Sequence, residues 1–296
     1  MTIPLLTLNN GVEMPAFGLG VYRSRPEETT GAVLSAFEAG YRHVDTAAAY
    51  MNEEQVGEAF RSSGLARLDV FIESKLWLSD YTYDGAIHGF ERSLRKLGME
   101  YIDLYLLHQP APTEFERTLG AWKALCEIVK SGRARAVGVS NFNEEELKRI
   151  IDETGVVPAV NQVELHPFFT QKKLSQFHQE QGILTQAWSP IGGVNRYFTE
   201  DPKPEDDPLT HPTIIRIAEG HGKSSAQVIL RWHIELGHSV IPKSVHTERI
   251  RENFDIFDFS LSSEEVALID ALNTGRRGGP DPKSLSTQTV KFSIPE

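Results

Sequence analysis

Strand-like and helix-like segments alternate along almost the whole chain, and the early strands recur roughly every 30 residues, the spacing of a βα unit. Strand candidates are 41–45, 70–76, 102–108, 134–140, 158–164, 183–188, 239–243 and a weaker 254–258. Between them lie amphipathic stretches such as EETTGAVLSAFEAG and GAIHGFERSLRKLG. Gly40 and Gly98 sit where helix C-caps belong. Asn52 with Gln55 reads as a capping box opening a helix. Eight such units predict a closed (β/α)8 TIM barrel rather than an open doubly wound sheet. The short apolar run before Asn10-Gly11 predicts an N-terminal β-hairpin. No linker divides the chain, so one domain over residues 1–296 is expected.

Three stretches break the rhythm. Residues 109–116 follow the third strand candidate, and 191–212 follow the sixth. The tail 274–296 carries Gly278, Gly279, Pro280 and Pro282 and has little periodicity. In a barrel, long loops on the C-terminal face are usually functional, so this tail is expected near a substrate pocket.

Composition narrows the partners. With 296 residues and 40% hydrophobic content, the chain can bury a large core. Thirty basic against 41 acidic residues give a net charge of −11, which favours solubility and argues against a nucleic-acid partner. No segment approaches the ~20 apolar residues of a membrane span. The N-terminus lacks a basic, apolar leader. The single cysteine, Cys126, cannot pair internally and reads as a buried structural thiol. A cytoplasmic monomer is expected.

Three strand candidates end in chemically useful residues: RHVD in Asp45, VFIESK in Lys75 and IDLYLLH in His108. Tyr50 follows five residues after the first. On neighbouring parallel strands all four would meet at one rim. A free phenol, with a pKa of about 10, is too weak an acid near neutrality. A neighbouring Lys75 ammonium would lower that value, Asp45 would hold the ammonium, and His108 would orient a substrate oxygen. Taken singly, each is more often an ordinary ion pair, packed ring or semi-buried imidazole. Together they suit proton donation to a carbonyl.

No side chain donates hydride, so a cofactor is required. There is no G-x-G-x-x-G after a strand, and Gly18-Leu19-Gly20 is too short. The better candidate is IPKSVHTERIREN, residues 241–253. Lys243, Ser244 and Arg249 near a helix start make an anion site suited to a ribose phosphate, although Glu248 works against it. Ser140, Asn141 and Gln162 end strands and could read a carboxamide. Trp188 could stack on a nicotinamide ring or simply pack in the core. Tyr22 and Trp77 are candidate pocket walls. His43 gives His-x-Asp with Asp45, where a metal site would more often need His-x-His, and His166 is the best extra ligand candidate; a structural role is favoured for both, and no metal is expected.

These motifs resemble the aldo-keto reductases over nearly the whole chain. GYRHVDTAAAYMNEEQVGEAF is similar to the family's first signature, IESKLW carries its lysine, and YIDLYLLHQP its histidine. VGVSNF, NQVELHP and IPKSVHTERIREN match its cofactor segments. Length and loops look closest to the bacterial 2,5-diketogluconate reductase-like branch. The resemblance implies a barrel binding NADP(H) in extended form and reducing aldehydes or ketones. Asp45, Tyr50, Lys75 and His108 would form the tetrad, with Tyr50 as proton donor. Ser140, Asn141 and Gln162 would contact the carboxamide. Trp188 would stack, with Ser189 beside it among the cofactor contacts. Lys243, Ser244 and Arg249 would grip the 2′-phosphate, and Glu252 and Asn253 the adenine. Gly20, Val21 and Tyr22 would line the nicotinamide. Tyr22, Tyr50, Trp77, His108 and Gln109 would face the substrate. The chain departs from the pattern at Gln109, where many members have Trp, at Trp188, where Tyr is commoner, and at the variable His246. Two rivals are a non-catalytic nicotinamide-binding module and a metal-dependent barrel hydrolase using His43, Asp45 and His166.

Overall fold

The computed structural model describes residues 3–197 and 203–296. An antiparallel hairpin, β1 (Leu5–Thr7) and β2 (Glu13–Pro15), comes first. Eight parallel strands then form one sheet in sequence order. They are β3 (Leu19–Gly20), β4 (His43–Asp45), β5 (Phe71–Leu76), β6 (Ile102–Leu107), β7 (Ala134–Ser140), β8 (Val160–Glu164), β9 (Leu184–Trp188) and β10 (Ser239–Val240). Backbone hydrogen bonds from Gly18 to Val240, Gly20 to Pro242 and Val240 to Ala16 close the seam at 2.9–3.1 Å. The expected barrel is therefore complete. A Cβ on Gly20 would lie 2.8 Å from the Ile241 carbonyl oxygen, so the seam closes only around a bare α-carbon.

The eight strands are not the eight expected. Leu19–Gly20, not among the strand candidates, is the first barrel strand, and 254–258 is not a strand. The phenylalanines that made 254–258 look strand-like pack at the seam instead. Phe254 stacks on Tyr41 at 4.8 Å, and Phe257 meets Phe17 edge-on at 6.0 Å. Every strand counted from the sequence thus moves up one place in the barrel.

Helices alternate with the strands: α1 (Pro26–Ala39), α2 (Glu53–Ser63), α3 (Tyr83–Leu97), α4 (Phe115–Lys130), α5 (Glu144–Thr154) and α6 (Lys172–Gln181). After them come a short α7 (Val194–Tyr197), then α8 (Pro212–His221), α9 (Ser225–Glu235), α10 (Thr247–Phe254) and α11 (Ser263–Asp270). Gly40 and Gly98 cap α1 and α3 in the left-handed conformation, as their positions predict. Asn52 does not cap α2. Its amide is buried and donates to the Val21 and Ser24 carbonyls at 3.0 and 3.2 Å, while its oxygen accepts from Thr46 at 2.8 Å. Buried loop carbonyls need a donor more than the helix end needs an acceptor. Cys126 is half-buried on α4 rather than fully buried, and burial pushes its thiol up to about 11, far from a nucleophile's range.

Two apolar regions fix which barrel end is open. One lies between strands and helices. The smaller joins Leu8 and Met14 of the hairpin region to Phe71, Leu104, Leu106 and Val160. The hairpin thereby plugs the N-terminal end, leaving the C-terminal rim as the mouth.

The interrupting stretches carry more order than their composition suggests. A single turn, Pro112–Glu114, runs straight into α4 from Phe115. The described part of 191–212 contains α7 and two further turns, Pro204–Asp206 and Pro208–Thr210. The tail is tied down at several points. Buried Glu164, at the end of β8, accepts hydrogen bonds from the Gly278 and Gly279 amides at 2.6 and 2.9 Å. Glu114 accepts from the Thr287 amide and hydroxyl at 2.8 and 2.7 Å. Trp77 Nε1 donates to the Phe292 carbonyl at 3.0 Å. No helix among the described residues is long and apolar enough to cross a membrane.

Glu164 gives the tail an acid sensitivity. Burial opposes its charge, but His166 and the two glycine amides outweigh burial and hold its carboxyl below the usual range. A carboxylate held low in the folded state contributes its stability above the ordinary value of about 4.3 and loses it as pH falls through the lowered one. Acidification below about pH 4 should therefore loosen residues 277–280, read as faster proteolysis there. Glu164→Gln should loosen them at neutral pH, lower the melting temperature by the equivalent of about 1.5–3 kcal/mol, and remove the acid dependence.

Candidate active site

Parallel pairing puts Gly20, Asp45 and Glu73 in register, with Lys75 one inward position further along β5. Asp45 and Lys75 are buried at the mouth end. Lys75 Nζ donates to an Asp45 carboxylate oxygen, to the Thr46 carbonyl at 3.0 Å and to the Tyr50 hydroxyl at 3.3 Å. All three ammonium protons are thus engaged. Tyr50 ends a single turn, Ala48–Tyr50, which lifts its ring off β4 and over the rim. The His108 ring meets it edge-on at 5.6 Å, and Trp77 meets His108 edge-on at 5.0 Å. The four residues expected to converge do so.

Their electrostatics differ in one respect from expectation. Lys75 does pull the Tyr50 phenol down, but burial, with Asp45 adding to it, pushes harder, and the net shift is upward. The phenol is therefore a firmly protonated donor, not a pre-ionised one. Its acidity can emerge only as negative charge develops on an oxygen beside it. Burial, reinforced by Glu73, raises Asp45 to about 6 against the pull of Lys75. Burial also opposes the Lys75 charge, yet Asp45, Tyr50 and Glu73 more than restore it. The pair is charged at neutral pH. Burial and Lys75 push His108 well below the usual imidazole range, so it is a neutral ring offering one N–H.

Beneath this pair lies a polar layer that sequence reading missed. Glu73 is fully buried. It accepts from His43 Nε2 at 2.9 Å, Gln162 Nε2 at 2.7 Å and Gln186 Nε2 at 2.9 Å. Gln162 Nε2 also lies 2.9 Å from Asp45 Oδ1. The signal was present: Glu73 precedes Lys75 by two, so both point inward. His43 is thus taken up by Glu73, and His166 by Glu164 at 3.2 Å. Among the described residues, no three His, Cys, Asp or Glu side chains are placed to hold a metal ion.

Two adjoining hollows, of about 470 and 660 Å3, share Ile191 and Lys243 and make one long groove. The tetrad end is bordered by Gly20, Tyr22, Trp77, Gln109, Trp188 and Ser189. Val21 is not brought to it; its side chain lies in the core while its backbone ties β3 to Asp45 and Asn52. Ser140 donates to the Gln162 carbonyl at 2.9 Å. Asn141, in the left-handed region that asparagine tolerates, donates to the His108 carbonyl and accepts from Trp188 Nε1 at 2.9 Å. That bond holds the indole across the cleft. Within the tail expected near a pocket, sequence reading did not name Pro280, Leu285 and Phe292 as walls, because an aperiodic segment does not reveal which of its residues face inward.

The other end of the groove holds Lys243, Ser244, Arg249, Glu252 and Asn253 together. The side chains of Lys243 and Arg249 make no hydrogen bond or salt bridge among the described residues, although Glu28 lies near enough to act on the Lys243 charge. No side chain caps α10, so among the described residues its first amides are left without a side-chain acceptor. Unpaired cations beside an open helix start fit a phosphate. The tetrad end offers an indole face and fixed amides. The residues present thus fit an extended NADP(H) with its nicotinamide at the tetrad.

Residues 15–274 match the aldo/keto reductase family. The chain is 51% identical over 287 residues to morphine 6-dehydrogenase of Pseudomonas putida, covering 97% of each. It is 45% identical to glyoxal reductase of Bacillus subtilis, covering 94% of this chain and 96% of that one. A solved aldo-keto reductase of Bombyx mori, in complex with NADP, superposes with a TM-score of 0.88 at 37% identity, covering 97% of this chain and 98% of that one. Barrel, rim constellation and phosphate-ready groove agree with these likenesses: the chain belongs to the aldo/keto reductase family, whose NADP(H)-dependent carbonyl reduction it shares.

Proposed function

We propose that this aldo-keto reductase reduces an aldehyde or ketone with Tyr50 as proton donor, Lys75 and Asp45 as the pair that tunes it, and His108 as the group that orients the carbonyl. The observation carrying this reading is Lys75 Nζ, shared between Asp45 and the Tyr50 hydroxyl at the open rim. When bound, the reduced nicotinamide supplies a hydride to the carbonyl carbon. As charge builds on the carbonyl oxygen, Tyr50 releases its proton to it. The Lys75 ammonium stabilises the phenolate left behind, and Asp45 keeps that ammonium in place. His108, neutral, donates its N–H to the same oxygen and fixes its direction. Trp188 presents its ring as a stacking surface, and Ser140, Asn141 and Gln162 hold the carboxamide. Lys243, Ser244 and Arg249 hold the 2′-phosphate, with Glu252 and Asn253 beside the adenine.

The chain is read as one catalytic unit, tail included, because Glu164 and Glu114 hold that tail on the barrel. Length and loop pattern support a place beside the 2,5-diketogluconate reductase-like branch. A net charge of −11 with a local cationic end supports a small anionic cofactor rather than nucleic acid. A cytoplasmic monomer fits the same composition. Tyr22, Trp77, Gln109 and Phe292 set which carbonyl enters. Gln109 makes one wall polar, and its Oε1 is buried without a donor, which supports a substrate carrying a hydroxyl that can donate to it.

Three outcomes test this reading. Tyr50→Phe, which keeps the ring and removes the proton, should lower kcat by about 100-fold or more; near-normal turnover in a steady-state assay would remove Tyr50 from its role. Arg249→Ala should raise the KM for NADPH by about tenfold or more and leave that for NADH nearly unchanged. Gln109→Leu should cost hydroxylated carbonyls about tenfold in kcat/KM relative to apolar aldehydes, scored on a substrate panel.

A further inference from the structure

We propose that Glu73 is a positioning residue for the reduction, acting through Gln162 on the cofactor-facing amide and through its charge on the Lys75–Tyr50 pair. The inference rests on the roles proposed above for Tyr50, Lys75 and Gln162.

A glutamate inside a barrel is costly, and burial of a charge is poor evidence that stability is its purpose. Glu73 sits between the apolar plug and the Asp45–Lys75 pair, with three donors converging on it. Two of them, His43 and Gln186, lie outside the groove's lining. The layer therefore reaches the chemistry through Gln162 and through the Asp45–Lys75 pair.

The first route is geometric. Gln162 Nε2 lies 2.9 Å from Asp45 Oδ1, 2.7 Å from Glu73 Oε1 and 2.8 Å from Gln186 Oε1. All three neighbours are acceptors, and two are carboxylates. A flipped amide would set Oε1 against them. Glu73 thus locks Gln162 with its nitrogen inward and leaves Oε1 as the amide atom available to the cleft, where it can accept from a carboxamide NH2.

The second route is electrostatic. The ionisable groups around Glu73 are His43 and Asp45 from β4, Lys75 on its own strand, and Tyr50 beyond Lys75. The strands β8 and β9 bring neutral amides, and β6 brings Leu104 in register. A second negative charge below the ammonium favours the protonated forms of both Lys75 and Tyr50. Without it both lose their protons at lower pH.

The test is Glu73→Gln, which keeps the size, removes the charge and cannot accept from all three donors. For carbonyl reduction at saturating NADPH, the alkaline limb of the kcat–pH profile should move down by about one unit. The dissociation constant for NADPH, read by fluorescence quenching, should rise several-fold, and the KM for the carbonyl should change little. Glu73→Asp, which keeps the charge, should return the limb to its wild-type position. Glu73→Thr, suited to a strand, carries the same test where the glutamine variant does not fold. A lowered melting temperature with a wild-type alkaline limb and wild-type NADPH affinity would overturn the proposal and leave Glu73 merely structural. Tyr50→Phe run in parallel separates the two readings: if it turns over like wild type, the tetrad roles fail whatever Glu73 does.

Discussion

The Lys75–Asp45 ion pair is the constraint around which the barrel is organised. Both residues are buried, and removing two charges from water costs several kcal/mol each unless partners replace the water. Lys75 spends its three donors on Asp45, the Thr46 carbonyl and Tyr50; Asp45 takes a further bond from Gln162. These partners come from β4, β5, β8 and the turn after β4. They meet only if the parallel register holds and the seam at Gly20 closes. Taking away one member would leave a buried charge unpaired at a cost of about 3–5 kcal/mol. The catalytic pair is thus also a structural one.

The same pair divides the barrel interior. Below it, Glu73 and its donors form a polar shelf, and beneath that the hairpin's Leu8 and Met14 complete an apolar plug. Above it lies the open groove. Water is excluded from one side, so fields from Asp45, Glu73 and Lys75 act at low dielectric on the Tyr50 hydroxyl. A second cationic region, half-buried Lys243 with exposed Arg249, lies at the far end of the groove. One positive region is spent on the reacting atoms and the other on holding an anion. Their separation along a single groove is what an extended dinucleotide requires.

Much of this was legible in the chain because strands end where side chains matter. Asp45, Lys75, His108, Ser140, Gln162 and Trp188 each stand at or near the C-terminal end of a strand-like segment, so a barrel places them toward one rim. The illegible parts share a physical cause: backbone geometry or long-range contact decided them. Leu19–Gly20 makes a barrel strand of two residues because the seam needs backbone, not side chains. Phe254 to Asp258 imitate a strand because their apolar positions serve helix packing. Asn52 has the pattern of a capping box and is diverted by buried carbonyls. The tyrosine's upward shift depends on how deeply it sits, which no local pattern encodes. Glu73 could have been noticed from its spacing to Lys75, but its partners come from β4, β8 and β9.

Rim and walls are built from different materials. The tetrad stands on β4, β5 and β6 and the turn that follows β4, and hydrogen bonds within the barrel fix it. The walls come from Gln109, the segment around Ile191 and Val194, and a tail held by Glu164, Glu114 and the Trp77 indole. A wall residue such as Phe292 can change without disturbing Asp45 or Lys75, since it meets only Trp77 among ring contacts. Gly279 is the exception: a Cβ there would press within 2.7 Å of the Trp188 ring, coupling the tail to the stacking surface. A fold arranged this way can alter its substrate while keeping its reaction. That is consistent with relatives named for substrates as different as morphine and glyoxal at about half sequence identity.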